Sequence, residues 1–288
     1  MNVGITLPAA ANPGAFAKHA ENVGLESVWT GDHLISLAPK LDSTLLLAQA
    51  AATTTRLRLG FGVLILALRP VAWAAKQIAT LQNLSGDRVV LGVGTGGAIH
   101  GDAAWRAVGE PYEERTPRTY AALATLPALV TGRPTTVDGE KVTLAPGATM
   151  PPILIGGGLP AMRRAARHGY GWYPAFLPPP SLAEAVREFT DRAARKPEVT
   201  AQVAMALGNV QADQIDAQVR MLTHYGMTEE HARQSLLTGG REQAAEHLAA
   251  LFAAGAERVV GLPLGGNNHQ QAELLAEAAH AMTTRTSS

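Results

Sequence analysis

Short apolar runs alternate with segments of helical periodicity along the whole chain. The apolar runs lie at residues 3–6, 27–29, 57–63, 89–93, 153–155, 171–173, 201–207 and 258–262. Near-continuous apolar strands joined by helices are typical of a parallel sheet that is covered on both faces. Eight such strands are the number that a (β/α)8 barrel requires. We therefore expect residues 1–288 to form a single α/β domain, a TIM barrel with insertion loops at its C-terminal mouth.

Local signals add detail at three places. Asp138-Gly139 separates two short alternating runs and predicts a β-hairpin. Ser43 is placed to cap the helix that runs to about Thr54. Residues 97–114 carry no regular pattern, and a structureless connection of that length in a compact barrel is usually a lid or a binding loop.

Composition excludes several classes of function. Lys plus Arg number 24 and Asp plus Glu number 24, a neutral balance that argues against nucleic acid as the main partner. The absence of cysteine excludes disulfides, iron–sulfur clusters and thiol catalysis. The nine histidines show neither His-x-His nor His-Glu-x-x-His spacing, so no metal site is expected.

The chain also lacks signals for export or membrane insertion. Its N-terminus begins at once with a strand pattern and has no basic and then apolar leader. The longest apolar run, residues 61–68, is too short to span a bilayer. We expect a cytoplasmic protein with no membrane partner.

A cluster of glycines ends the fourth apolar run, in the sequence RVVLGVGTGG at residues 88–97. Gly92, Gly94 and Gly97 satisfy the spacing of the dinucleotide-binding fingerprint. However, three strands already precede this motif and no acidic residue ends the next strand, so the context disfavours that interpretation. In a barrel the same glycines would lie at the mouth, where they let a flat ligand approach the backbone.

A second glycine cluster, Gly156-Gly157-Gly158, lies between a strand and a helix that begins near Pro160. Free N–H groups and the helix dipole at such a junction favour an anion. Arg163 and Arg164 could add positive charge one turn into the helix. A tight strand-to-helix turn with an ordinary cap is the structural alternative.

A third motif, SVWTGDHL, places Trp29, Asp32 and His33 after the second strand. His33 could donate a proton or hydrogen-bond to a bound ring, because imidazole changes charge near physiological pH. Asp32 would orient that imidazole or cap the loop. A loop histidine satisfied by solvent or backbone is the alternative interpretation.

Together these segments resemble the bacterial luciferase-like superfamily of flavin- and deazaflavin-dependent oxidoreductases. The matching stretches come in family order over nearly the whole chain and include AENVGLESVWTGDHL, RLRLGFGVLILALRP, LSGDRVVLGVGTGG and PPILIGGGLPAMRRAARHGYGWYP. The resemblance implies a TIM barrel that binds its cofactor ring across the mouth. Catalytic chemistry would then fall to His33 and Asp32.

The resemblance also assigns the cofactor contacts. A bulge at the end of the third strand, often with a non-prolyl cis peptide, supports the ring in this family, and it corresponds to Gly62-Val63. The segment Gly156, Gly157, Gly158 and Leu159 would hold the cofactor phosphate. Thr95, Gly96 and His100 would line the polar edge of the ring.

Within the superfamily, the short chain and the Asp-His pair favour the coenzyme F420 branch over the FMN monooxygenases. Related sugar-phosphate dehydrogenases carry a catalytic glutamate where this chain has Gly97. That difference argues against their chemistry and leaves His33 and His100 as candidate proton donors.

The resulting expectation is an oxidoreductase that transfers hydride between F420 and a small organic substrate. One alternative is a luciferase-like monooxygenase that uses reduced FMN and O2, with a flavin or F420 reductase acting in trans. A second is a cofactor-binding protein without catalysis. Trp29, Trp105 and Tyr173 are expected to line the substrate pocket, and the family resemblance implies a homodimer.

Overall fold

The apolar runs of the sequence form strands in the computed structural model, which describes residues 1–8, 12–36, 39–97 and 101–285. The strands are β1 (Asn2–Thr6), β2 (Ser27–Thr30), β3 (Arg58–Ile65), β4 (Val89–Gly94), β5 (Thr135–Val137), β6 (Glu140–Val142), β7 (Ile153–Gly156), β8 (Gly171–Tyr173), β9 (Thr200–Leu207), β10 (Leu237–Gly239) and β11 (Arg258–Pro263). All eight predicted strands are present, and each differs from its prediction by at most two residues at either end.

Helices connect these strands. They are α1 (Pro13–Asn22), α2 (Ser43–Thr53), α3 (Val71–Ser85), α4 (Ala103–Ala107), α5 (Arg115–Val130), α6 (Leu159–His168), α7 (Pro179–Arg192), α8 (Ala212–His224), α9 (Glu229–Ser235), α10 (Arg241–Ala253) and α11 (Asn268–Arg285). Short 3-10 turns cover Leu66–Leu68 and Tyr112–Glu114. Among the helices of the described chain, none is long and apolar enough to cross a membrane.

The chain divides into two compact units. The first unit is drawn from Met1–Pro8, Lys18–Trp29 and Leu154–Ser288, and the second from Ala9–Ala17 and Thr30–Ile153. The single-domain organisation expected from the sequence stays a prediction.

The first unit is built on parallel strands. Strand β11 pairs with both β1 and β9, and β1 pairs with β2. Strand β9 also pairs with β10, and β7 pairs with β8. Apolar side chains from these strands are fully buried, as Ile5, Val28 and Val259 show. Helical side chains such as Phe189 complete this core, where its ring meets the ring of Trp172 edge-on.

The second unit has a parallel pair, β3 and β4, under helices α2, α3 and α5. Leu47 of α2, Leu59 of β3 and Leu126 of α5 are each fully buried, because apolar residues recur at helical spacing on the helices that face these strands. Strands β5 and β6 form the predicted hairpin, with Asp138 and Gly139 both at positive φ in its turn. The parallel α/β class is thereby confirmed, while the closed eight-stranded barrel stays a prediction.

Three local expectations differ from the structure. Residues 97–114 are not structureless, because their described part contains α4 and the 3-10 turn at Tyr112–Glu114. Helix α2 is capped by Asp42, whose carboxylate accepts from the Leu45 N–H at 3.0 Å, whereas Ser43 is already the first helical residue. The short elements α9 and β10 were not expected, since their sequence offers only a few residues of pattern.

Candidate functional site

A bulge in β3 explains both glycines of β4. The Gly62-Val63 peptide is cis, as the family resemblance implied, and the pairing of β3 with β4 shifts register after Phe61. A Cβ atom at Gly92 would overlap the carbonyl oxygen of Phe61, and a Cβ atom at Gly94 would overlap Cγ2 of Val63. Strand packing therefore requires glycine at both positions, whether or not a ligand lies near them.

The segment after β4 has a separate reason for its glycine. Gly96 has φ of +79°, which favours glycine, and a Cβ atom there would come within 3.1 Å of the Trp105 ring. Thr95 and Gly96 are both half-buried, so they remain available to a ligand. Their role at the polar edge of a ring stays a prediction, and His100 lies outside the described residues.

Asp32 fixes the loop after β2 to the bulged strand. Its carboxylate is only 5% exposed and accepts from the Ser43 hydroxyl at 3.2 Å and from the Ile65 N–H at 3.0 Å. It also forms an ion pair with Arg69 at 2.9 Å, and its own N–H donates to the Val63 carbonyl at 3.0 Å. Such a fully bonded buried carboxylate holds the backbone of the loop in place. Orientation of His33 by Asp32 stays a prediction.

Arg69 is a site residue that the sequence analysis missed. One terminal nitrogen, Nη2, pairs with Asp32, while the other, Nη1, is buried without a hydrogen-bond partner among the described residues. A buried donor without a partner is costly and is commonly satisfied by a water or a ligand. The sequence does contain one sign of it: a cation follows the apolar run at residues 61–68 directly, at a place where an apolar residue would suit the core better.

Three polar groups converge beside Gly31. The position that a Cβ atom would take there lies 3.2 Å from the Gly62 carbonyl oxygen, 3.4 Å from Lys40 Nζ and 3.6 Å from His33 Nε2. Burial lowers the pKa of the Lys40 ammonium group, and the negative charge of Asp32 opposes that shift. The sequence analysis singled out His33 but missed Lys40, which lies seven residues further along an irregular loop.

The glycine cluster after β7 lies in the first unit. Gly157 has φ of +127°, accepts a hydrogen bond from Trp172 Nε1 at 2.7 Å, and donates to the Tyr173 carbonyl at 3.2 Å. Gly158 and Leu159 are exposed at the start of α6. A Cβ atom at Gly158 would meet nothing closer than 4.0 Å, so the exposed side of this turn is open.

Arg163, which was expected to add positive charge to this turn, pairs with a carboxylate of α7 instead. Its Nε donates to the Glu188 carboxylate of α7 at 2.7 Å, and this hydrogen bond raises the pKa of the guanidinium group. The positive charge is therefore already balanced by a carboxylate on the neighbouring helix. Anion binding by the backbone N–H groups of this turn stays a prediction.

Two of the three expected pocket residues lie together in the first unit. The rings of Trp29 and Tyr173 have centroids 5.3 Å apart, and Trp29 Nε1 donates to the Ser27 hydroxyl at 2.8 Å. The Tyr173 hydroxyl is buried without a partner among the described residues, and burial raises its pKa. The phenol therefore stays protonated and can donate a hydrogen bond to a ligand.

Trp105, the third pocket candidate, lies in the second unit on α4. It is 3% exposed and packs with Ile65, Ala67 and Leu68, while its ring meets Tyr112 edge-on at 5.9 Å. These contacts describe a small apolar cluster that joins α4 to the end of β3 and to the 3-10 turn at Leu66–Leu68. The part played by Trp29, Trp105 and Tyr173 in binding substrate stays a prediction.

No group of three or more histidine, aspartate or glutamate side chains suited to a metal ion occurs within the described ranges. The second unit instead offers an ammonium group and an imidazole, and the first unit offers an open glycine turn and a buried phenol. Donors of this kind bind organic ligands with oxygen atoms or phosphate.

Comparison with known proteins agrees with this chemistry. An F420-dependent glucose-6-phosphate dehydrogenase of Kineococcus radiotolerans is 33% identical over 171 residues, which are 54% of this chain and 50% of that protein. The chain thus spans about half the length of the curated relatives it matches. An F420-dependent hydroxymycolic acid dehydrogenase of Mycobacterium tuberculosis is 31% identical over 174 residues, which cover 55% of this chain and 47% of that protein.

Solved structures share the fold over nearly the full length. An F420-dependent secondary alcohol dehydrogenase in complex with an F420-acetone adduct superposes with a TM-score of 0.81 at 17% identity, covering 98% of both chains. The oxygenating constituent of 3,6-diketocamphane monooxygenase of Pseudomonas putida, in complex with FMN, gives 0.75 at 16% identity over 96% of both chains. The family model described as luciferase-like monooxygenase matches residues 4–284. The chain therefore belongs to the luciferase-like monooxygenase family.

Proposed function

We propose that this protein is an F420-dependent oxidoreductase that transfers hydride between the deazaflavin and a small organic substrate. The observation that carries the proposal is the convergence of Lys40 Nζ, His33 Nε2 and the Gly62 carbonyl oxygen beside Gly31. These groups can bind the polar atoms of a substrate that lies against the cofactor ring. F420-dependent relatives favour this cofactor among those used in the family.

The residues of the second unit suit a flat ring system. Lys40 Nζ, His33 Nε2 and the Gly62 carbonyl oxygen offer polar groups beside Gly31, and Arg69 Nη1 offers a buried donor without a described partner. When bound, the deazaflavin supplies the hydride chemistry, as cofactors generally do. His33 Nε2 would hold or move the proton that accompanies the hydride, while Asp32 keeps the loop in place.

The first unit suits the phosphate of such a cofactor. Gly156, Gly157, Gly158 and Leu159 precede α6, a helix of ten residues whose N-terminus favours an anion. The nearest atom to a Cβ position at Gly158 is 4.0 Å away, so a phosphate could approach the backbone there. The segment from residue 101 to 114, with α4, would exclude water from the ring.

A monooxygenase that receives reduced FMN from a separate reductase is the second candidate. The fold shared with an FMN-bound monooxygenase favours it. Gly97 also leaves no glutamate to serve F420-dependent sugar-phosphate chemistry. Selective binding of FMN and oxygen consumption with supplied reduced FMN are the results expected of it.

The test is a parallel titration of the purified apo-protein with F420 and FMN, following the fluorescence of each cofactor. We expect selective F420 binding, and we expect Gly158→Ala to weaken it at least tenfold because the added methyl group faces the open turn. The matched control is Gly240→Ala, since Gly240 starts α10 with an equally open Cβ position. Selective FMN binding would move the assignment to the second candidate, and tight binding without turnover over a broad substrate panel would indicate a binding protein.

Three accompanying predictions concern the whole molecule. We propose a closed eight-stranded barrel, which is supported by the parallel bridges of Trp172 with Val199 and of Ala175 with Gln202 beside β9. We also propose a homodimer in the cytoplasm. Small-angle scattering and light scattering of the purified protein test the shape and the oligomeric state.

A further inference from the structure

We propose that Lys40 is a catalytic residue that binds the oxygen atom of a carbonyl substrate and stabilises the negative charge that forms on it. The inference rests on the proposed hydride transfer and names its substrate class: ketones, aldehydes and α,β-unsaturated carbonyl compounds. His33 is the proton donor beside the same oxygen.

The first argument is geometric. Lys40 Nζ and His33 Nε2 lie 3.4 and 3.6 Å from one point beside Gly31, so an ammonium donor and an imidazole face the same small region. The ammonium group has no hydrogen bond or ion pair to any described residue. Among the described residues, nothing competes with a ligand for its three N–H donors.

The second argument is electrostatic. Asp32 is the anion that acts on Lys40, but its oxygens are already engaged by the Ser43 hydroxyl, the Ile65 N–H and Arg69. Lys40 and Arg69 together carry two positive charges against the single negative charge of Asp32. Arg69 therefore offsets the charge of Asp32, which leaves the Lys40 ammonium group as the donor that faces the Gly62 carbonyl oxygen and His33 beside Gly31. Burial strengthens the attraction of that charge for a developing oxyanion.

The chemistry that follows is balanced in atoms and electrons. The carbonyl carbon accepts a hydride from the reduced deazaflavin, the two-electron reductant of the proposed function, and the π electrons of the C=O bond move to oxygen. The oxyanion accepts a hydrogen bond from Lys40 and takes a proton from protonated His33. The product is an alcohol, and His33 recovers its proton from solvent. For a conjugated substrate the hydride goes to the β-carbon, Lys40 stabilises the enolate oxygen, and the α-carbon then takes a proton from protonated His33 to give the saturated carbonyl compound.

The first test measures binding without any cofactor. Benzoate, a carboxylate of substrate size, is titrated calorimetrically into the apo-protein and into Lys40→Met, Lys40→Arg and Lys141→Met variants. Lys141 is an exposed lysine of β6 in the same unit and serves as the matched control. We expect Lys40→Met to lose at least tenfold in benzoate affinity, Lys40→Arg to recover part of it, and Lys141→Met to equal the wild type.

The second test uses turnover with F420 and 2-cyclohexen-1-one. Removing a donor from an oxyanion site costs about 10²- to 10³-fold in kcat, and we expect such a loss for Lys40→Met with F420 affinity changed less than threefold. Wild-type benzoate affinity in Lys40→Met, or no measurable benzoate binding by the wild type, would overturn the inference. If F420 fails to bind while benzoate binding still depends on Lys40, the proposed cofactor is wrong and the oxyanion site stands.

Discussion

Cγ2 of Val63 occupies the space that a Cβ atom would need at Gly94. The glycine of one strand and the bulge of its neighbour are thus two halves of a single packing arrangement. A motif that resembles a nucleotide-binding fingerprint in the sequence is in the structure a response to the shape of β3. The Gly62 carbonyl of the same bulge lies beside Gly31, near Lys40 and His33, so packing and candidate chemistry share this backbone.

The first prediction concerns that pair. Gly94→Ala should lower the free energy of unfolding by about 1–3 kcal/mol, the usual cost of overpacking a filled core. Because the obstacle is a side chain, Val63→Ala introduced into the same protein should recover most of the loss. Urea denaturation of the wild type, both single variants and the double variant measures this coupling. An equal loss in the single and double variants would show that the overlap is not the cause.

A second prediction separates backbone from side-chain obstacles. A Cβ atom at Gly92 would overlap the carbonyl oxygen of Phe61, which no side-chain substitution can move. Gly92→Ala should therefore destabilise the protein at least as much as Gly94→Ala, and Val63→Ala should not restore it. Gly240→Ala, at an open position, should cost less than about 1 kcal/mol in the same assay.

The third prediction concerns the ion pair of Asp32 with Arg69. Asp32→Asn should cost about 3 kcal/mol of unfolding free energy, because Arg69 would keep its charge without a partner. Arg69→Met should cost a similar amount for the converse reason. The double variant should lose clearly less than the two single losses combined, and a thermodynamic cycle from urea denaturation measures the difference. Simple additivity would show that the two charges do not depend on each other.

The sequence predicted the strands well because each is an uninterrupted apolar run, and apolar periodicity is a local property. Likewise, Asp138-Gly139 revealed its hairpin because turn chemistry is local. Lys40 and Arg69 were missed because their neighbours are distant in the sequence. Arg69 pairs with Asp32, and Lys40 lies near the Gly62 carbonyl oxygen, and only the folded chain brings these groups together. The pairing of Arg163 with Glu188 was missed for the same reason, since it joins two helices 25 residues apart.

A fourth prediction tests the buried Arg258 network of the first unit. Its guanidinium donates to Glu26 at 2.9 and 3.0 Å, to Glu198 at 3.1 Å and to the Thr200 hydroxyl at 3.2 Å. Arg258→Met should lower the unfolding free energy by about 2–4 kcal/mol, because two partly buried carboxylates lose their counter-charge. Arg258→Lys keeps the charge but not the forked geometry, so its unfolding free energy should lie between those of the wild type and Arg258→Met. A Lys variant no better than the Met variant would show that geometry alone matters.

The last prediction concerns pH and His247 of α10. Burial lowers the pKa of this imidazole below its ordinary value of 6.5, and its Nε2 atom has no hydrogen-bond partner among the described residues. As the pH falls through 6.5, the unfolded chain binds a proton at His247 while the folded chain does not, so folding stability falls with pH until the folded pKa is reached. The slope in that window is at most about 1.4 kcal/mol per pH unit for one proton.

His247→Gln removes this difference, so the variant should lose less stability than the wild type between pH 7.5 and 5.5. Carboxylates that titrate over the same range are common to both proteins and cancel in the comparison of their urea denaturation curves. Identical pH dependence in the two proteins would show that His247 takes up its proton equally easily in the folded and unfolded states.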